Sequence, residues 1–559
     1  VVFGSLRDLK PSQRIRLERL AARRIPHGSV VTHEVSRRLT ELSSEIGRQI
    51  GILVDRQGKI FKVLVGDSRS ILIPKLEGWR VGAGRLRGLR LIHTHLYDEP
   101  MSQEDLTDLA LMRLDLVGSI GIDQYGLPTA LRMAHLLPDN PAGKVWQILD
   151  PIHPSQLDMN FPSFVKSLED EISRSVRGHS TTGSGERSYL VARTHGKDWE
   201  IEKSLRELAE LARSSGLEVA GTAVQRRDSV DSHFVVGKGK LREIVIDALQ
   251  KGVGLIVFDA ELSPTQVKSI GDFTELKVID RSQLILDIFA QRAKTSEGKI
   301  QVELAQLKYA LPRLGEKDDA LSRLTGGIGG RGPGETRLEI DRRRIHSRIG
   351  FLEKQIDQLG RRRMLRRQLR NRREIPIISI VGYTNTGKST LLNNLTKSDV
   401  LTEDKLFATL DPTSRRLRFP RETEAIITDT VGFLQDLPET LVAAFSATLD
   451  ELADADLLLH VIDCSNPDFE DQMAAVERLL ERLNLNSIPM IRVFNKIDLV
   501  DSEAVENICA RFGGTAISAF NTRTFPALVK RMEDEILQSL SAERDYYGNI
   551  QLNPNTGGK

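Results

Sequence analysis

Apolar residues recur along this chain with rhythms that change from region to region. Over residues 1–174 short apolar runs alternate with polar stretches, predicting strands at 50–54, 60–65, 71–74, 89–95 and 116–122, a basic helix at 11–24 and a helix at 102–112. This reads as a domain of mixed α+β class. From residue 189 strand and helix alternate. Strands are expected at 189–192, 218–224, 255–259 and 277–280, with amphipathic helices at 200–214, 240–251 and 263–270, which together predict a small α/β domain with a largely parallel sheet. A heptad spacing follows. Ile300, Leu304, Leu307, Leu311 and Leu314 repeat every third and fourth residue, as do Ile345, Ile349, Leu352, Ile356 and Leu359, so the two stretches are expected to pair as a long antiparallel helical hairpin.

The joins between these regions are polar or glycine-rich. Residues 177–185 carry no apolar side chain larger than a methyl group and read as a linker. Between the heptads, Gly326-Gly327-Ile328-Gly329-Gly330-Arg331-Gly332 is too rich in glycine to build a core; at a hairpin tip it offers backbone donors and Arg331 to a phosphate-rich surface. The expected division is an extra N-terminal domain at 1–175, a linker at 176–187, an α/β subdomain at 188–293, the hairpin at 294–373, a nucleotide domain at 374–541 and a tail at 542–559.

Composition narrows the class. In 559 residues, 40% hydrophobic and 28% charged, no apolar run approaches the length of a membrane span and no signal-peptide pattern opens the chain, so a cytoplasmic protein, and a monomer, is expected. Cys464 and Cys509 are the only cysteines, which excludes a disulfide framework or a cysteine zinc site. The net charge of +2 is uninformative, but its distribution is not: residues 341–373 hold thirteen Lys or Arg against three acids. Arg361, Arg362, Arg363, Arg366 and Arg367 crowd one predicted helix with few acids between them, which suits an RNA backbone.

The chemistry concentrates after residue 376. An apolar strand runs into Gly382-Tyr383-Thr384-Asn385-Thr386-Gly387-Lys388-Ser389-Thr390, the pattern G-x-x-x-x-G-K-[ST]. Its backbone N–H groups cradle phosphates, Lys388 reaches the outer ones, and Ser389 is placed to ligate magnesium. Phe407-Ala408-Thr409-Leu410-Asp411 reads as a first switch, with Thr409 a second magnesium ligand. Asp429-Thr430-Val431-Gly432 ends a strand; Asp429 belongs to the metal shell and the Gly432 N–H to the γ-phosphate. Lys388, Thr409 and Gly432 are the candidate catalytic groups. Asn495-Lys496-Ile497-Asp498 selects guanine, because the Asp carboxylate accepts two hydrogen bonds that adenine cannot give, and Ser518-Ala519-Phe520 completes the base site, with Phe520 where lysine is common. These elements in this order identify a GTPase domain. Phe433 stands where a water-orienting glutamine is found in Ras-like enzymes, so slow intrinsic hydrolysis, completed by a partner or by an ion, is expected. Asn385 suggests potassium as that ion.

A separate constellation lies in the first region. His93 and His95 end an apolar strand on one face, and Asp105 follows Ser102 at a helix start, a spacing suited to a three-ligand zinc site. It resembles the signature of JAB/MPN-type metalloproteases, although Leu96 replaces a proline, one residue is missing before Ser102, and only Glu45 stands near the family's catalytic glutamate. Histidines that merely hydrogen-bond, in a JAB-like fold without metal, are the other reading.

Over about residues 186–541 the chain resembles the HflX family of ribosome-associated GTPases in the Obg-HflX superfamily. The likeness rests on Asp280-Arg281 with Ile285-Leu286-Asp287-Ile288-Phe289, on Gln301-Val302-Glu303-Leu304-Ala305-Gln306-Leu307, on Gly332-Pro333-Gly334-Glu335-Thr336 through Asp341-Arg342-Arg343-Arg344, and on the loop at Gly382. It implies binding to the large ribosomal subunit and its rRNA, the glycine loop reaching towards the peptidyl transferase centre, and splitting or rescue of stalled ribosomes in the GTP state with hydrolysis permitting release. Ribosome assembly, or a zinc peptidase in residues 1–175 regulated by GTP, are the alternatives. About 18 residues follow the last predicted helix, so the C-terminal domain of some members is expected to be missing or vestigial.

Overall fold

The structure, a computed structural model, describes residues 2–74, 76, 79, 85–178, 185–194, 198–226, 231–314, 337–371, 375–396, 413–430, 432–433 and 450–551. It is a multidomain α/β protein with separate sheets, packed as two compact units. One comprises Val1–Ile201, Leu217–Phe258 and Ser269–Val278; the other comprises Glu202–Gly216, Asp259–Lys268 and Ile279–Lys559.

In the first unit, β1 (Val2–Gly4), β2 (Ile50–Asp55), β3 (Ile60–Val65), β4 (Leu89–His95), β5 (Leu116–Ile122), β6 (Pro128–Leu136) and β7 (Trp146–Ile148) form a sheet in the order β1-β3-β2-β4-β5-β6-β7. Helices α1 (Pro11–Ala21), α2 (His33–Ile46), α3 (Gln103–Met112) and α4 (Phe161–Gly178) bury Leu17, Leu39, Leu109 and Phe161 in one core with the strands. Strand β4 is buried along its whole length, paired antiparallel with β2 and parallel with β5. The strand expected at 71–74 does not form. A turn closed by Asp67 N–H to the Ser70 carbonyl ends the pairing of β3, and Pro74 brings no N–H to a ladder. Ile71 instead covers Gly51 of β2.

A second sheet, in the order β11-β10-β8-β9, is built from β8 (Arg187–Thr194), β9 (Glu218–Arg226), β10 (Leu255–Phe258) and β11 (Lys277–Asp280). Strands β9 and β10 both run parallel to β8, as the alternation with α5 (Asp198–Ser214), α6 (Lys238–Gln250) and α7 (Pro264–Phe273) requires. Asp280 then caps α8 (Arg281–Arg292), its carboxylate accepting from the Gln283 N–H at 2.9 Å.

In the second unit, α9 (Ser296–Leu314) and α10 (Arg337–Asn371) meet along the expected heptad seams. Leu304, Ile349 and Leu352 are buried, with Ile300, Leu307, Leu311, Ile345 and Ile356 packed against them. Ion pairs Arg348–Glu303 (2.7 Å) and Lys308–Glu353 (2.8 Å) flank the seam.

The GTPase sheet comprises β12 (Ile377–Val381), β13 (Thr413–Arg418), β14 (Glu424–Asp429), β15 (Leu457–Asp463), β16 (Met490–Asn495) and β17 (Thr515–Ala516), in the order β13-β14-β12-β15-β16-β17. Only the β13–β14 pairing is antiparallel. The flanking helices are α11 (Lys388–Thr396), α12 (Phe469–Arg482), α13 (Ser502–Phe512) and α14 (Pro526–Gln551). Strand β12 lies between β14 and β15, and the strand order switches direction there, so a crevice opens at its carboxyl end.

Candidate nucleotide site and a second, buried histidine site

The loop between β12 and α11 fills that crevice. Gly382 (φ 151°) and Gly387 (φ 92°) take backbone conformations that a side chain disfavours, and a Cβ at either would clash with Val461 O or Asn495 Nδ2. Asn385 also has a positive φ of 62°, which asparagine tolerates. The loop therefore needs glycine for space as well as for curvature.

Lys388, the first residue of α11, is buried, and its Nζ donates to the carbonyls of Tyr383 (2.6 Å) and Gly382 (3.2 Å). Burial lowers its pKa to about 8, against the opposing pull of Asp429. Ser389 Oγ donates to Asp429 Oδ2 at 2.6 Å, so the loop and the end of β14 bring together an alcohol and a carboxylate, the donor set for magnesium and its water shell. Thr430 Oγ1 anchors to the Ile380 carbonyl at 2.6 Å. Gly432 is packed so closely that a Cβ would lie 2.8 Å from Thr384 Cγ2 and 2.9 Å from Lys388 Nζ. Thr390 is half-buried on α11.

Phe433 is 3% exposed and is joined to the loop by backbone hydrogen bonds, Thr384 N–H to Phe433 O (2.8 Å) and Phe433 N–H to Gly382 O (3.1 Å). Its side chain serves the core and does not occupy a water-facing position.

The base-recognition elements are tied to the loop as well. Asn495 Nδ2 donates to Thr386 O (2.7 Å) and its Oδ1 accepts from the Ala519 N–H (2.8 Å), so both ends of its amide hold two segments together. Asn394 Nδ2 binds the Ala519 carbonyl at 2.7 Å. Lys496 takes φ 66° and pairs with Asp463 at 2.7 Å. Ile497 is half-buried and opens the short 3-10 turn that presents Asp498 to solvent. Ser518 is buried, whereas Phe520 is 80% exposed. Phe407, Ala408, Thr409, Leu410, Asp411, Val431 and Arg331 lie outside the described residues, as do the side chains of Arg362, Arg363, Arg366 and Arg367; Arg361 is exposed on α10.

One participant was not legible in the sequence. The Tyr383 hydroxyl donates to Glu207 on α5, and Glu207 is paired with Arg281 at 2.8 Å. A glutamate in an amphipathic helix ordinarily faces solvent, and nothing in its spacing signals otherwise.

In the other unit, His93 and His95 project from β4 on one face, and their Nε2 atoms lie 3.0 Å apart. Asp105 Oδ1 is 3.1 Å from His93 Nε2, and its Oδ2 is 3.3 Å from His95 Nε2. These three residues form the one group among the described residues whose donor atoms converge as metal ligands do. Opposite His93 on β2 stands Gly51, where a Cβ would come within 3.2 Å of His93 Cβ. The Asp105 carboxylate is fixed by a reciprocal cap, accepting from Ser102 N–H (2.8 Å) and Oγ (2.7 Å). Burial opposes its ionisation, but His93, His95 and Ser102 hold its pKa well below the usual carboxylate range. His93 Nδ1 is buried with no partner among the described residues. Two imidazoles and one carboxylate converging in this way are a donor set that fits zinc. Glu45 does not join them; its carboxylate is taken by Gln13 and Arg16 on α1.

Comparison with known proteins covers the second half of this picture. Residues 202–290 match the family GTP-binding GTPase N-terminal, residues 292–370 the GTP-binding GTPase Middle Region, and residues 377–496 the 50S ribosome-binding GTPase family. GTPase HflX of Caldanaerobacter subterraneus subsp. tengcongensis is 50% identical over 316 residues, 56% of this chain and 73% of that protein. GTPase HflX of Alkalihalophilus pseudofirmus is 51% identical over 54% of this chain and 71% of its own length, and that of Lacrimispora saccharolytica is 45% identical over 66% and 88%. The chain belongs to the HflX family of GTPases, enzymes that bind GTP and hydrolyse it to GDP.

Proposed function

We propose that this chain is a GTP-gated switch that binds the large ribosomal subunit through its rRNA and splits or rescues stalled ribosomes, with hydrolysis permitting release. The supporting observation is the density of cations along α10, where Arg342, Arg343, Arg344, Lys354 and Arg361 are exposed on a helix that ends just before β12 and the nucleotide loop. Phosphate-backbone binding draws on such a concentration of cations. Residues 377–496 match a family described as 50S ribosome-binding.

In this reading Lys388 and the loop N–H groups hold the β- and γ-phosphates. Ser389 and Thr409 ligate magnesium, Asp429 orders its water shell, and Gly432 contacts the γ-phosphate. Asp498 selects guanine while Asn495 keeps the base and phosphate segments in register. Because Phe433 is packed inward, orientation of the attacking water falls to the ribosome or to a potassium ion beside Asn385. Equal turnover in sodium and potassium, with and without ribosomes, would eliminate the ion.

His93, His95 and Asp105 hold zinc in the N-terminal domain. The commitment of Glu45 to Gln13 and Arg16 takes the family's catalytic-glutamate candidate away from the histidines, which favours a metal-stabilised binding module over a peptidase.

The decisive experiment is sedimentation of purified ribosomes with the full chain and a non-hydrolysable GTP analogue. Splitting into subunits that requires the analogue is expected. Intact ribosomes free of the protein would overturn the proposal, and co-sedimentation only with immature subunits would favour an assembly role.

A further inference from the structure

The nucleotide loop is gripped from outside the GTPase sheet. Tyr383, its second residue, is 6% exposed and donates its hydroxyl to Glu207 Oε1 on α5. Glu207 Oε2 is 2.8 Å from Arg281 at the start of α8, and Arg281 Nη1 is 3.1 Å from Asp259, which in turn accepts from Ser204 Oγ. All four charged and phenolic groups are largely buried, so the chain of contacts is shielded from competing water. A second tie, Lys203 Nζ to Asp471 at 2.6 Å, joins α5 to α12. Beside these contacts a cleft of about 300 Å³ opens along Tyr383, Thr384 and Asn385.

The same tyrosine touches the machinery from its backbone. Its carbonyl accepts from Lys388, and its neighbours Gly382 and Thr384 exchange hydrogen bonds with Phe433. A displacement of Tyr383 would therefore move the lysine and the switch residues together.

We infer that Glu207, through the Tyr383 hydroxyl, is a positioning residue for the phosphate loop, so that the segment matched by the GTP-binding N-terminal family sets how long the protein retains its nucleotide. The inference rests on residues 382–390 being the nucleotide loop. It is directional: whatever pulls α5 away from the loop releases the nucleotide, and nucleotide in the loop favours α5 in place, because coupling between two sites is reciprocal.

The test uses the full chain and a fluorescent GDP. Tyr383→Phe removes one hydroxyl and leaves Glu207 paired with Arg281. It is expected to speed GDP dissociation about tenfold or more, the usual effect of losing a buried hydrogen bond to a charged group, while the melting temperature stays within about two degrees of the parent. Glu207→Gln is expected to do the same, and the double variant to be no faster than either single one. Rates for the double variant equal to the product of the two single effects would overturn the latch, as would parental dissociation from Tyr383→Phe. A fall in melting temperature with unchanged dissociation would also overturn it, assigning the contact to folding alone. Should Tyr383→Phe not fold, Glu207→Gln carries the same expectation. Absence of GDP binding by the parent protein would remove the nucleotide-loop reading and the latch with it, whereas binding with unaltered release removes the latch alone.

Discussion

The nucleotide loop and the histidine pair are built on the same geometric idea, side chains and backbone converging at the carboxyl end of a buried strand, yet they differ in how the convergence is enforced. At Gly382–Ser389 the backbone itself does the work, and two glycines with positive φ leave no alternative sequence. At His93, His95 and Asp105 the side chains do it, and the backbone contributes only the period of a strand and the first turn of a helix. A backbone site fails when its conformation is lost; a side-chain site fails one donor at a time.

Lys388→Ala should break the first site most deeply, lowering kcat/KM for GTP about a thousandfold in a phosphate-release assay, since the ammonium acts on the charge of the transferring phosphoryl group. A smaller loss, with GTP affinity unchanged, would mean that another cation serves the phosphates. Raising the pH probes the same lysine without mutation. Its pKa is lowered to about 8 where it now sits, and a bound phosphate raises it, so nucleotide binding takes up a proton above that pH. GDP affinity should fall towards tenfold per unit between pH 8 and pH 10, and flat affinity across that window would place the charge elsewhere. Phe433→Gln separates position from chemistry. Because the ring is buried, the glutamine is expected to cost about 3 kcal/mol in a denaturant melt and to leave intrinsic hydrolysis no faster. His93→Ala should remove bound zinc, measured by elemental analysis, with no change in GTP turnover. A drop in turnover would mean that the two sites communicate.

The difference between the sites also explains what could be read from the sequence. A phosphate cradle dictates glycine, lysine and serine at fixed offsets, so the loop, Asp429 and the Asn495–Asp498 element were legible with their strands. The heptad seams of α9 and α10 were legible for the same reason, a strict period over many residues. The His-x-His face and the Ser102–Asp105 cap are visible as spacing, but their approach to within 3.3 Å depends on the tertiary packing of α3 on the sheet that contains β4. Glu207 gives no signal, because its partners Tyr383 and Arg281 are distant in sequence and an acidic helix position is ordinarily solvated. Helices α2 and α4 and strands β1, β6 and β7 of the first unit are not among the elements expected from the sequence, and 71–74 has the apolar content of a strand although its Ile71 covers Gly51 instead of pairing with a neighbour.

Asn495 uses both ends of its amide on Thr386 and Ala519, while Asp498, three residues later in the same motif, is exposed and its side chain makes no hydrogen bond or ion pair among the described residues. In the function proposed above, structural support and base choice are thus carried by separate side chains. Asp498→Asn would exchange acceptors for an amide that can donate to the C2 carbonyl of xanthine, without disturbing the fold. The protein could then be driven by a nucleotide that other GTPases ignore, giving an external clock with which to start and stop it in a mixture where GTP is everywhere.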